Sequence, residues 1–137
     1  MKNILFTLAL LISFVSFGQT FEEYFDSGYD KAEAKDYYGA IADYTKAIEI
    51  NPNYAIAYTN RGLSKAEAKD YNASIADFTK AIELDPNDAE AYYNRGLSKA
   101  KLKDYYGAIA DFTKAIELDP NDASAYYNRG VAKADLK

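Results

Sequence analysis

Cysteine, histidine and tryptophan are all missing from these 137 residues, and the single methionine is the first residue. Without thiols or imidazoles the chain can build no disulfide, no thiolate nucleophile, no zinc-finger ligand set and no ordinary imidazole acid–base pair. A chain without cysteine suits an oxidising or a reducing compartment equally. Positive charge is also in deficit: 16 Lys and Arg stand against 21 Asp and Glu, a net −5. Polyphosphates and anionic lipid surfaces attract clustered bases, so nucleic acid and membrane headgroups are poor partners here. No Gly-rich phosphate loop and no nucleophile–base pair can be picked out. Carboxylates are plentiful, but most recur every 34 residues at solvent-facing helix positions, as a solvated face would. These exclusions point away from an enzyme and from any cofactor or metal.

What is present is enough for one small folded domain, with 49% hydrophobic and 27% charged residues. The 14 Tyr among 21 aromatics give the apolar surfaces many phenol hydroxyls.

The first twenty residues read as an address. Lys2 provides a basic start, Ile4 to Phe17 form a 14-residue apolar run broken by Thr7, Ser13 and Ser16, and Ser16-Phe17-Gly18 offers small residues around a large one. That length suits a secretory signal and falls short of the roughly 18–20 residues that span a bilayer. Residues 1–18 are therefore expected to be a signal peptide cleaved after Gly18, with an uncleaved anchor as the alternative. Cleavage leaves a mature chain of 15 bases and 21 acids, secreted or periplasmic in a bacterial envelope and without stable membrane insertion.

A period of 34 residues organises the rest. Residues 55–88 and 89–122 differ at only seven positions; residues 21–54 follow the same plan more loosely, and residues 123–137 begin a fourth copy. Each copy reads as two helices. The first, as in Ala89 to Leu102, is rich in Ala, Leu and Lys; a break follows at Lys103-Asp104, where Asp104 can cap the next helix. The second, Tyr106 to Leu118, carries Ile109, Phe112, Ala115 and Ile116 on one face. Asp119-Pro120 stops it, and Asn121 or Asp122 caps the helix beyond. A single hairpin cannot bury its apolar face, so copies must stack.

Certain residue types recur at fixed places: Gly28, Gly62, Gly96 and Gly130; Ala40, Ser74 and Ala108; Tyr44, Phe78 and Phe112; Ala47, Ala81 and Ala115; Pro52, Pro86 and Pro120. With the 34-residue length, this pattern resembles the tetratricopeptide repeat (TPR) over the whole chain beyond the signal. The resemblance implies an all-α, right-handed α-solenoid of stacked antiparallel helix-turn-helix hairpins, with repeats at 21–54, 55–88 and 89–122. Residues 123–137 are then the first helix of an incomplete fourth repeat or a capping helix; their unchanged interior pattern favours a truncated chain. Departures from the family pattern are Tyr24, Tyr58, Tyr92 and Tyr126 where Trp is common, Lys31, Lys65, Lys99 and Lys133 where Tyr is common, and Arg61, Arg95 and Arg129 where Leu is common. The Lys are expected to pack their stems and expose their ammonium groups.

The resemblance also implies a concave wall made by the first helix of each hairpin, and a protein or extended peptide as partner. Phe25, Tyr29, Leu63, Tyr93, Leu97, Tyr127 and Val131 then face the groove beside a column of Asn60, Asn94 and Asn128. A primary amide both donates and accepts, so such a column can match the backbone of an extended peptide. Copying a repeat reproduces every residue, useful or not, so the column can equally be a passenger. A spacer or self-assembling array with no separate ligand is the alternative function. The family's carboxylate clamp for chaperone tails needs Lys and Asn, then Asn, then Lys and Arg; the matching positions hold Phe25, Tyr29, Asn60, Glu90 and Asn94, so no clamp is expected.

Two packing expectations follow. Gly96 should lie where the third hairpin's helices touch, facing Ala108; Leu there should overpack, while Ala should be tolerated or stabilising. Each Arg at repeat position 7 follows an Asp of the preceding copy by 18 residues: Asp43 and Arg61, Asp77 and Arg95, Asp111 and Arg129, with Ser27 in the first copy. Either these pairs link successive hairpins, or each Arg lays its stem between helices and points into water.

Overall fold

The computed structural model describes residues 19–137; the expected signal peptide, residues 1–18, lies outside the described residues. Among the latter, seven helices and no strands occur: α1 Phe21–Glu33, α2 Tyr37–Ile50, α3 Ala55–Glu67, α4 Tyr71–Leu84, α5 Ala89–Lys101, α6 Tyr105–Leu118 and α7 Ala123–Ala134. None of these helices is long and apolar enough to cross a membrane.

Local chemistry sets each boundary. Thr20 and Glu23 close a reciprocal capping box at the start of α1, the Thr20 hydroxyl accepting from the Glu23 N–H and the Thr20 N–H donating to the Glu23 carboxylate. Asp36, Asp70 and Asp104 cap the second helix of each hairpin, accepting from the N–H of Gly39, Ala73 and Gly107. Asp88 and Asp122 cap α5 and α7; Asn121 does not cap α7. The turn inside each hairpin runs through a left-handed residue that is not glycine: Lys35, Lys69 and Lys103, with φ of 62°, 65° and 64°. That conformation costs an L-residue about 1–2 kcal/mol, and the turn holds it with the backbone bonds that end the first helix, such as Asp104 N–H to the Lys99 carbonyl at 2.9 Å.

Within a hairpin the two helices touch through the recurring small residues. Gly28, Gly62 and Gly96 lie against the rings of Tyr44, Phe78 and Phe112, so close that a Cβ would meet them at 2.9, 2.9 and 2.8 Å. Ala40, Ser74, Ala108, Ala47, Ala81 and Ala115 are fully buried. Gly96 therefore does sit at the helix contact, with the Ala108 carbonyl oxygen at 3.3 Å, but the Phe112 ring comes closer still. This corrects the expectation that Ala would be welcome there. Beyond its chain neighbours and its own helix backbone, Gly130 has no atom within 4 Å of where its Cβ would be.

Between hairpins the core is continuous: Ile48 of α2, Ala57 and Tyr58 of α3, Ala81 and Ile82 of α4 and Ala91 of α5 form one buried cluster. Ser74 donates to Ser98 at 2.9 Å across the second and third hairpins. First helices also touch one another, α1 to α3, α3 to α5 and α5 to α7, whereas second helices do not meet. The stack therefore curves with α1, α3, α5 and α7 on the inner side. Pro52, Pro86 and Pro120 lie exposed in the turns between hairpins.

The Arg residues obey neither expected arrangement. Arg61 donates through Nε and Nη2 to both oxygens of Asp77, at 2.8 and 2.7 Å, and Arg95 grips Asp111 likewise at 2.9 and 2.7 Å. Each partner lies in the Arg's own hairpin, 16 residues later, and not in the preceding copy. The remaining nitrogen, Nη1, makes the link backwards: Arg61 donates to Thr45, Arg95 to Thr79 and Arg129 to Thr113, at 3.0, 3.1 and 3.3 Å. Lys65 and Lys99 complete the carboxylate shells, 2.7 and 2.8 Å from Asp77 and Asp111, so their ammonium groups are paired and largely covered, not exposed as expected. Each guanidinium also lies 5.5–5.7 Å over the centre of a Tyr ring: Tyr58, Tyr92 or Tyr126. Asp77 and Asp111 are about 95% buried, and a carboxylate so placed needs such partners to stay charged. In the first hairpin Ser27 and Lys31 serve Asp43 instead. Burial opposes the Asp43 charge, but the hydrogen bonds from Lys31 and Ser27 outweigh it and hold the carboxyl below its ordinary value.

A candidate peptide groove of three repeated hollows

The inner wall carries three hollows, one at each junction between hairpins, with volumes of about 270, 310 and 230 Å³. They are built from the same repeat positions. Each has the ring of Tyr44, Phe78 or Phe112 at its floor, Tyr37, Tyr71 or Tyr105 on one side, and Asn60, Asn94 or Asn128 on the other. Floor and wall are set by the hairpin contact described above: the ring that fills the space beside the invariant-in-every-copy Gly turns its far edge to the groove.

The structure brings most of the sequence-predicted groove residues together. Tyr29, Asn60 and Leu63 share the first hollow; Leu63, Asn94 and Leu97 the second; Leu97, Asn128 and Val131 the third. The aromatics at repeat position 5 behave differently. Phe25 packs its ring 5.6 Å from Tyr44 and 5.5 Å from Tyr54 and lines none of the three hollows. Tyr93 lies 5.8 Å from Phe112 within the packing, and Tyr127 stands 72% exposed outside the hollows. Reading the sequence missed Tyr37, Tyr71 and Tyr105, although an aromatic repeated at the first position of each second helix was the available signal. Glu33 lines the first hollow, and Glu67 and Lys101 stand on the walls between hollows.

The Asn column is not uniform. Asn128 donates to the Tyr93 hydroxyl and to the Ser124 carbonyl, both at 3.0 Å, so both its N–H donors are engaged. Burial raises the pKa of Tyr93, and the Asp122 charge adds to the effect, against the bonds from Ser124 and Asn128. The equivalent of Tyr93 one hairpin earlier is Thr59, which is buried and turned to the Ala55 carbonyl at 3.5 Å. It is too short to hold Asn94 in the same way. The Tyr44 hydroxyl of the first hollow is pushed up to about 12, chiefly by burial; the hydrogen bond with Asn60 opposes this, and Tyr29, Glu33 and Asp30 add to it. A fourth hollow of about 370 Å³ meets the groove at Asn60 and holds Asp85, Asp88 and Glu90. Among the described residues no group of carboxylates is arranged to hold a metal ion.

Family comparisons agree with this architecture. A model described as TPR repeat matches residues 28–68 and 63–103, and two described as tetratricopeptide repeat match residues 89–122 and 112–136. Among curated proteins, none matches significantly. Solved structures do. The TPR domain of Arabidopsis OM64 is 29% identical, with a TM-score of 0.82 over 84% of this chain and 95% of that one. The TPR2B domain of yeast Sti1, in a complex named for pHsp70, is 28% identical, with a TM-score of 0.76 over 85% and 95%. The second TPR domain of human RPAP3, in complex with the HSP70 peptide SGPTIEEVD, is 26% identical, with a TM-score of 0.78 over 80% and 92%. The chain belongs to the tetratricopeptide-repeat family.

Proposed function

We propose that the protein is a non-enzymatic scaffold that holds an extended segment of a partner protein along its concave wall. The observation that carries this reading is the row of three like hollows on one continuous inner face, each pairing an apolar Leu or Val with an Asn at its lip. A strand-like peptide presents side chains at a regular repeat and leaves its N–H and C=O groups free, which suits a row of hollows edged by amides. The related RPAP3 domain is in complex with an HSP70 peptide and that of Sti1 is in a complex with pHsp70, which supports the same use here. A spacer would have no need of such a row.

The RPAP3 peptide ends in acidic residues. In this chain the positions that would clamp such a tail hold Phe25, packed among aromatics, together with Tyr29, Asn60, Asn94 and the exposed Glu90. With no cation among them, a partner other than an acidic chaperone tail is the better fit. The apolar run Ile4 to Phe17 supports export, which would place that partner in the cell envelope or outside the cell. Photo-crosslinking tests the groove. A benzoylphenylalanine replacing Leu97 should capture one partner band that the same residue at Tyr106, 78% exposed on the outer face, does not. Equal capture at both positions would refute groove binding.

A further inference from the structure

The three hollows share a framework but differ in charge. The first contains Glu33 and Glu67 and no base; the second contains Glu67 with Lys69 and Lys101; the third contains Lys101 and Asp135. Lys31 pairs with Asp43 and Lys65 with Asp77, while Lys69 and Lys101 share only the second hollow with Glu67. Neither Glu33 nor Glu67 has an ion-pair partner among the described residues. The first hollow is also the most phenolic, lined by Tyr29, Tyr37 and Tyr44, and only here is the floor a tyrosine and not a phenylalanine. Across Asn60, which belongs to both cavities, the neighbouring hollow adds Asp85, Asp88 and Glu90.

Resting on the groove reading above, we infer that the first hollow is a site for a cationic side chain, the Lys or Arg of the bound peptide. The cation inserts its alkyl stem between Tyr29 and Leu63 and its charged head reaches Glu33 and Glu67. Aromatic faces attract cations through the ring quadrupole, and two carboxylates without internal partners supply the complementary charge. An acidic side chain in that place would meet repulsion from both glutamates, so the site selects as well as attracts.

The test is selection from a random octapeptide library with blocked termini, using the purified protein and its Glu33→Gln/Glu67→Gln variant. Peptides enriched on the parent should carry Lys or Arg at one fixed position. The variant should lose that enrichment and bind the best peptide about five- to twenty-fold more weakly, the sum expected of two part-exposed charge contacts. Asn94→Ala should weaken binding while leaving the basic preference intact. Enriched peptides with no basic position, or a preference that survives in the variant, overturn the cation site and leave the groove standing. A library from which nothing is enriched overturns both.

Discussion

Glycine at repeat position 8 provides a sharp test of the packing, because one repeat type occurs in two surroundings. At Gly96 an added Cβ would lie 2.8 Å from Phe112 Cε1 and 3.0 Å from Cδ1, where carbon atoms prefer about 3.5–4.0 Å. The ring would have to retreat by roughly 0.5–1 Å, yet Phe112 is fully buried against Tyr93, Leu97, Ala108 and Ala132. Overpacking of this kind costs about 1–3 kcal/mol, and the better helix propensity of Ala offsets about 1 kcal/mol. Gly96→Ala should therefore destabilise by about 1 kcal/mol, or roughly 3–5 °C in Tm for a chain of this size. At Gly130 the space is open, so only propensity acts and Ala should stabilise α7 by about 0.5–1 kcal/mol. Thermal melts followed at 222 nm read the first, and amide hydrogen exchange within α7 reads the second. If Gly96→Ala melts at or above the parent temperature, the Phe112 ring is not the fixed wall the structure shows and the close-approach account fails. Gly96→Leu should cost more than Gly96→Ala in any case.

Further predictions concern the polar framework, the turns and export. In double-mutant cycles, Arg95→Met should couple to Asp111→Asn by about 1–3 kcal/mol, whereas Arg95→Met with Asp77→Asn should be additive within about 0.3–0.5 kcal/mol. Lys103→Gly should relieve the left-handed turn and raise stability by about 1 kcal/mol in urea unfolding, while Asp104→Ala, which removes the cap on Gly107, should lower it by about 1 kcal/mol. The Tyr44 hydroxyl titrates in the fold near 12 against 10.0 unfolded. A raised value means that its contribution is full below pH 10 and is lost as pH climbs towards 12, so Tyr44→Phe should flatten the alkaline loss of stability. Intact-mass measurement on protein from the native host should give Gln19 as the first residue, and a retained Met1 on a membrane-bound product would refute cleavage.

Most of the architecture was legible because it is written in types that admit few substitutes. Asp before each second helix and Pro after it mark boundaries, and Gly beside an aromatic marks a close approach. The start of α6 at Tyr105 lies one residue earlier than the expected Tyr106 because the capping Asp104 precedes Tyr105 directly. The Arg–Asp pairing could not be read from spacing alone. Separations of 16 and 18 residues both join a first helix to a second helix across one layer of packing, and the repeat offers an Asp at each. What decides is depth: Asp77 faces inwards within its own hairpin, where only Arg61 and Lys65 can reach its oxygens, and the Arg then has a single nitrogen left to meet Thr45 behind it.

The groove shows the same limit from the other side. The second and third repeats differ at seven positions, and three of these, Ile56/Glu90, Thr59/Tyr93 and Glu67/Lys101, border the groove or its acidic neighbour or act on its Asn column. Each changes what a ligand would meet. Exchanging Glu67 for Lys101 reverses the charge on the wall between hollows. Exchanging Thr59 for Tyr93 supplies the hydroxyl that occupies Asn128 and so takes one amide out of the column. Neither change disturbs the buried Gly, Ala and Phe framework. A stacked repeat can therefore keep its packing from copy to copy while a few wall residues give each hollow its own preference. For that reason three sites of one design should be probed singly, and the first of them with a cation.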